Sequence, residues 1–311
     1  MRIEKVSQHG MLQGLMSEPK TISAKYFYDE RGSALFEAIT ALPEYYQTRT
    51  EASILEASLP KLASYMDRPV TLIEYGSGSS AKTRILLEHL SNVNTYIPID
   101  ISEEFLAQTV QQLSLDFPAI RVTGVSADYT LPITLPPSQS EKRVVFFPGS
   151  TIGNFEPDEA KAFLANSRHM LHAGDLFLLG VDRKKDVSVV EAAYDDSAGV
   201  TAAFNKNVIA RLNRETGAKL DESAFSHVAF YNKRKGRIEM HLKVRSDQDM
   251  QGLGAGIQFS EGELIHTENS YKFDESDIHE LAVAAGFTVR EILSDEKEYF
   301  SVCVLEVPGA E

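Results

Sequence analysis

Gly76 and Gly78, in the stretch TLIEYGSGSSAKT, stand between an apolar run and a helix-like segment that begins at about Ser80. Glycines let a backbone pass close to a ligand, and a helix start presents N–H groups that have no partner within the helix. Gly76-x-Gly78-x-x-Ala81 satisfies the dinucleotide fingerprint with Ala in third place, so the pyrophosphate of a nicotinamide cofactor is one candidate ligand. The amino-acid end of S-adenosyl-L-methionine (SAM) is the other. Both call for an acidic residue ending the second strand to accept hydrogen bonds from ribose hydroxyls, and Asp100 is so placed.

Other residues carry weaker signals. FPGSTIGNF follows the fourth apolar run, where ligands bind in open α/β sheets, and Gly149, Thr151 and Asn154 could meet a substrate there. The Asn amide both donates and accepts, yet the same residues also make an ordinary turn into Pro157. In ELIHTENSYKF, strand alternation puts Glu268 and Ser270 on one face. A carboxylate beside a hydroxyl suits an imidazole, although from spacing alone a solvated strand face is the more ordinary reading. Met240 alternates with Ile238 and Leu242 and reads as core. His169 and His172 in HMLH have no visible carboxylate or cysteine partner, so a helix end is favoured over a metal site. Asp195 and Asp196, beside Tyr194 in AAYDDSAGVTAAFN, read as a helix N-terminus. The single cysteine, Cys303, excludes an internal disulfide and lies in an apolar run as a small hydrophobe.

The elements that position these residues form an alternating series. VTLIEYG, TYIPIDI, IRVTGVSAD, RVVFFPGS and LFLLGVD read as strands. AKTRILLEHLS, SEEFLAQTVQQLSLDF with Ser102 as N-cap, and PDEAKAFLANSRHMLHAGD read as helices. Near-continuous apolar strands alternating with helices indicate an α/β, doubly wound and mainly parallel sheet. At the C-terminus, DESDIHELAVAAGF predicts a helix closed by Gly286, and TVREILSD with YFSVCVLEV predicts a terminal antiparallel hairpin. Such a hairpin at the end of a parallel unit is a feature of class I methyltransferases. Residues 50–183 and 272–311 are expected to form that Rossmann-like domain. Residues 1–49 and 184–271 are expected to form a smaller α+β substrate-binding domain or lid.

Composition narrows the partners. The chain has 311 residues, 43% of them apolar, and a formal net charge of −14. That balance disfavours nucleic acid, and the one basic run, KRKGR from Lys233 to Arg237, reads as a solvated hairpin turn. No apolar run approaches a membrane span and the first residues lack a signal-peptide core, so a cytoplasmic protein without membrane contact is expected.

Three features favour SAM over a nicotinamide cofactor. Glu74 gives the acidic-x-Gly-x-Gly pattern typical of methyltransferases, Asp128 in SADY stands where those enzymes often contact adenine, and the terminal hairpin is the third. Either acid alone also fits plain strand-end solvation. An NAD-dependent dehydrogenase and a cofactor-binding protein without chemistry are the alternatives.

The segments KYFYDERGSALFEAITALPEYYQTRTEASIL, EYGSGSSAKTR, GSTIGNF, AAYDDSAGVTAAFN, RIEMHL and TENSYKF, in that order, resemble the L-histidine Nα-methyltransferase family of ergothioneine biosynthesis nearly end to end. The resemblance implies SAM as methyl donor, S-adenosyl-L-homocysteine and the trimethylated hercynine as products, and no metal. It implies that Gly76, Lys82, Asp100, Asp128 and Tyr129 line the cofactor site. Tyr28, Phe36, Tyr45, Gly149, Thr151, Asn154 and Tyr194 would surround the amino-acid backbone of the substrate. Glu268 and Ser270 would hold the imidazole with Met240 beside the ring, and Tyr28 is the candidate proton relay. An indole offers one donor and no acceptor, so a Glu–Ser pair fits histidine better than tryptophan, the substrate of related enzymes. Gln47 stands where the family commonly has proline. A small-molecule substrate and a monomer are expected.

Overall fold

The run VTLIEY forms β1 (Val70–Tyr75), buried at every position, as a strand covered on both faces must be. The chain, seen as a computed structural model, is described for residues 10–78, 80–137, 140, 142–250 and 256–309. Beyond β1 the strands are β2 (Val93–Asp100), β3 (Arg121–Val122), β4 (Val125–Ser126), β5 (Lys142–Phe147) and β6 (Leu176–Asp182). Then come β7 (Phe225–Asn232), β8 (Arg237–Val244), β9 (Gln248–Met250), β10 (Ile257–Phe259), β11 (Leu264–Tyr271), β12 (Thr288–Ser294) and β13 (Phe300–Glu306). The chain divides into a large unit, Gln47–Lys184 with Lys272–Glu311, and a small unit, Met1–Tyr46 with Lys185–Tyr271.

In the large unit the strand order is β12-β13-β6-β5-β1-β2-β3, with β4 also on β2. The pairs from β6 to β3 are parallel, whereas β13 lies antiparallel between β6 and β12. The core on one face joins Leu72, Tyr96, Val144, Phe146, Leu178 and Val302 to Leu55 and Leu62 of the helix Gln47–Tyr65 and Leu86 of the helix Ala81–His89. The parallel strands end at one carboxyl edge, where β1, β2 and β5 deliver Gly76, Asp100 and Gly149.

One local expectation is corrected. Ile120 to Asp128 is not one strand: it touches β2 through β3 and again through β4. Between them Gly124 lies so close to Leu106 and Val110 that a side chain would have to displace them. Ser102 occupies the N-cap of the helix Glu103–Asp116, but its side chain makes no cap bond, and its own N–H is donated to Asp100 Oδ1 at 3.0 Å.

In the small unit, β11-β8-β7 form an antiparallel sheet, with β9 and β10 as a separate pair. The helix Val200–Thr216 packs on β7 and β8 of this sheet, and its residues Val208 and Leu212 are buried. Asp196 starts that helix by accepting the amides of Val200 at 2.9 Å and Thr201 at 2.7 Å, as the acidic pair predicts. Lys233 to Gly236 form the turn between β7 and β8, but Arg237 is already buried in β8, its guanidinium 2.7 Å from Glu239. No helix among the described residues is long and apolar enough to cross a membrane.

Candidate active site

The glycine bend is built as the large unit requires. Gly76 (φ 65°) and Gly78 (φ 46°) take left-handed conformations that a Cβ disfavours, and Gly76 N–H is anchored on Ile99 O at 2.8 Å. Tyr129 walls the bend: a Cβ on Gly76 would stand 3.6 Å from its ring. That ring packs against Tyr75 and Phe147, and burial raises its hydroxyl pKa well above the usual phenol value. Asp100 Oδ2 accepts Gly78 N–H at 3.4 Å, so the acid ending β2 is tied to the bend. Asp128 Oδ1 accepts the Thr130 amide at 3.0 Å and its hydroxyl at 2.6 Å, which turns the chain beside Tyr129. Side-chain-free backbone, an acid at the strand end and an aromatic wall fit the methionyl and ribose parts of SAM.

Glu74 is not a solvated strand end. It is 2% exposed, Tyr96 donates its hydroxyl to it, and burial pushes its carboxyl up to about 7.

Lys82 pairs with Glu51, a residue for which the sequence carried no signal. The same Glu51 Oε2 accepts Gly149 N–H at 2.9 Å. A Cβ on Gly149 would lie 3.5 Å from Lys82 Nζ and 3.6 Å from Thr151 Oγ1, so these three meet at one place. Gly180 in β6 makes room for them, because a side chain there would collide with Glu51. GSTIGNF itself turns through Gly149 (φ 77°) and Ser150 (φ 58°) into a short 3-10 helix, Thr151–Asn154. Asp182 N–H, at the end of β6, is donated to Ser150 Oγ at 2.9 Å and holds the loop down.

Gln47 opens the helix Gln47–Tyr65, a position where proline is tolerated because the first helical N–H has no intrahelical acceptor. Gln47 is 2% exposed, with Nε2 3.5 Å from Asp182 Oδ2 and Oε1 without a hydrogen-bond partner.

The small unit assembles the second group. Tyr28 meets Phe36 edge-on at 5.6 Å between ring centroids, Phe36 meets Tyr45 at 6.2 Å, and Tyr45 meets Tyr194 at 6.4 Å. Phe204, unmarked in the sequence reading, packs on both Tyr28 and Phe36. The chain of rings ends at a hydroxyl pair, Tyr194 Oη and Ser270 Oγ, 2.6 Å apart. In β11 the register shifts between His266 and Glu268, after which Glu268 lies opposite Met240 and Ser270 opposite Ile238. Directly opposed residues share a face, so Glu268, Ser270 and Met240 stand together; Met240 is fully buried there.

The remaining sequence candidates are structural. The helix Pro157–Arg168 ends before His169, whose ring bonds Ala165 O at 2.7 Å, and His172 lies beyond it. No group of three or more His, Cys, Asp or Glu side chains among the described residues is placed to hold a metal. Cys303 is buried in β13, which pushes its thiol up to about 12 and makes it a poor nucleophile.

A parallel sheet with one antiparallel strand inserted beside β6, and a glycine bend after β1 backed by an acid ending β2, defines a class I SAM-dependent methyltransferase. Within that class the chain belongs to the family of histidine-specific, SAM-dependent methyltransferases, which it matches over residues 7–307. It is 42% identical over 277 residues to the histidine N-alpha-methyltransferase of Mycolicibacterium smegmatis, covering 87% of this chain and 86% of that one. The histidine N-alpha-methyltransferase of Mycobacterium tuberculosis is 40% identical over 278 residues, 88% of this chain and 86% of that one. Ergothioneine biosynthesis protein 1 of Neurospora crassa is 30% identical over 265 residues, 79% of this chain and 30% of that one. The dehydrogenase reading of the bend falls with this membership.

Proposed function

We propose that the chain transfers methyl groups from SAM to the α-amino nitrogen of L-histidine, ending at the trimethylated hercynine, the first step of ergothioneine biosynthesis. The observation that carries the substrate is the shared face of Glu268, Ser270 and Met240, reached by the ring series from Tyr28 to Tyr194. A neutral imidazole has one donor and one acceptor nitrogen, which a carboxylate and a hydroxyl match. Met240 offers the flat ring an apolar, polarizable contact.

SAM supplies an electrophilic methyl on a sulfonium, so the chain's work is orientation and the removal of protons. Gly76, Asp100, Asp128 and Tyr129 would hold its methionyl, ribose and adenine parts, and Lys82 its carboxylate. Gly149, Thr151 and Asn154 would hold the α-carboxylate and amine of histidine, with Phe36, Tyr45 and Tyr194 enclosing its backbone. An α-amino group is mostly protonated at neutral pH and attacks only as the free amine. Tyr28, 42% exposed, is placed in this reading as the relay that carries the proton to water.

Replacing Glu268 tests the substrate assignment. Glu268→Ala raises KM for histidine by about tenfold or more, as the loss of a charged hydrogen-bond partner implies, and leaves SAM affinity unchanged. Unaltered histidine kinetics would remove Glu268 from the site.

A further inference from the structure

Beneath Tyr194 lies a polar chain that none of the assigned roles uses. His227, in β7, has its Nε2 2.8 Å from the main-chain oxygen of Tyr194. Its Nδ1 is 2.9 Å from Nδ2 of Asn205, a residue of the helix Val200–Thr216 that is wholly buried. The same Asn205 Nδ2 donates to the main-chain oxygen of His241 in β8 at 3.0 Å. Asn205 and Tyr194 both come from AAYDDSAGVTAAFN, so one segment supplies the partners of both His227 ring nitrogens.

Counting donors fixes the protons. An Asn amide carries two hydrogens on Nδ2 and none on Oδ1. Reversing the Asn205 amide would set its oxygen against the His241 carbonyl, two acceptors facing each other, so the nitrogen belongs where it is. One hydrogen goes to His241 O and the other to His227, whose Nδ1 must then accept. The ring hydrogen therefore sits on Nε2 and is donated to Tyr194 O. An imidazolium would instead oppose two N–H groups at Nδ1, and burial accordingly lowers the pKa of His227. Asn205 Oδ1 is left buried without a partner, so satisfying its own acceptor is not what orients the amide.

We propose that His227, held by Asn205 as the neutral Nε2–H tautomer, is a positioning residue for substrate recognition. It fixes the main chain of Tyr194 and with it the Tyr194–Ser270 hydroxyl pair. This deepens the histidine reading above and rests on it for the identity of the ligand. The ring tautomer rests only on the hydrogen bonds.

Two measurements on the full chain test it. Two-bond ¹H–¹⁵N spectra of histidine-labelled protein at neutral pH should show His227 as the Nε2–H tautomer. An Nδ1–H tautomer or an imidazolium would overturn the proposal. In kinetics, His227→Phe should raise KM for histidine about tenfold, with a smaller change in kcat and no change in S-adenosylhomocysteine affinity by calorimetry. His227→Gln, whose Nε2 can still donate to Tyr194 O, should recover most of the loss. Should the Phe variant fail to fold, Asn205→Leu, which cannot donate to Nδ1, should raise KM in the same direction. A histidine KM unchanged in the folded variants, or one that changes equally in the Phe and Gln variants, would overturn it too. Wild-type protein that ignores histidine while showing the expected tautomer would sink the substrate reading and not the tautomer.

Discussion

Glu51 accepts the Gly149 amide at 2.9 Å on Oε2, the oxygen that also pairs with Lys82. One buried carboxylate thereby joins the helix that follows the glycine bend to the loop that follows β5. Glu51→Gln keeps an acceptor for Gly149 but removes the charge that Lys82 meets. It should weaken SAM binding and histidine turnover together, by about tenfold or more, since bonds to charged groups are stronger than neutral ones. Isothermal calorimetry with S-adenosylhomocysteine, beside steady-state kinetics, checks this. A change in histidine KM alone would contradict the shared role.

Glu74 gives a pH dependence of stability. Its carboxyl is raised from 4.5 to about 7 by burial, so the folded chain binds a proton more tightly than the unfolded one. Its contribution is complete below about pH 4.5 and is lost as the pH rises through 7. The loss is on the order of 3 kcal/mol. Glu74→Gln can still accept the Tyr96 hydroxyl and cannot titrate. Urea unfolding of both proteins from pH 4.5 to 8 should show the wild type falling relative to the variant. Parallel curves would refute the assignment.

Lys272 and Asp182 form an ion pair at 2.7 Å with both side chains fully buried. Removing one partner leaves an uncompensated buried charge, so Lys272→Met should destabilise the fold by about 3–5 kcal/mol. Adding Asp182→Asn to that variant should restore part of the loss. Denaturant midpoints of the two variants measure the difference, and an additive further loss in the double variant would contradict it.

Phe204 packs against Tyr28 and Phe36 at 5.7 and 6.0 Å between ring centroids. Phe204→Ala should cost about 3–5 kcal/mol in stability, as large-to-small changes of buried aromatics do. Thermal unfolding measures this, and a loss below 1 kcal/mol would show the ring series to be looser than described.

The parallel strands and the inserted hairpin were legible because buried strands carry continuous apolar runs and a hairpin needs only two runs and a charged turn. The break at Gly124 was not, since it depends on the closeness of Leu106 and Val110 from another element. Residues that act through distant partners were equally hidden. Glu51 stands in no motif of its own, and its meaning appears only when Gly180 and Gly149 close around it. Asn205 and His227 are separated by 22 residues and meet only because the helix Val200–Thr216 packs on β7. Glu74 was visible as an acid before the glycines, but its burial was not, because its hydrogen-bond partner Tyr96 is supplied by the neighbouring strand.

The central claim is SAM-dependent methylation at the α-nitrogen of histidine, and competition tests it most directly. The protein is mixed with SAM and the twenty free amino acids at equal concentration, and methylated products are located by tandem mass spectrometry. The account predicts histidine bearing three methyl groups on Nα as the dominant product, with unmodified tryptophan. Methylation of the imidazole ring, preferential methylation of tryptophan, or no transfer to any amino acid would contradict it.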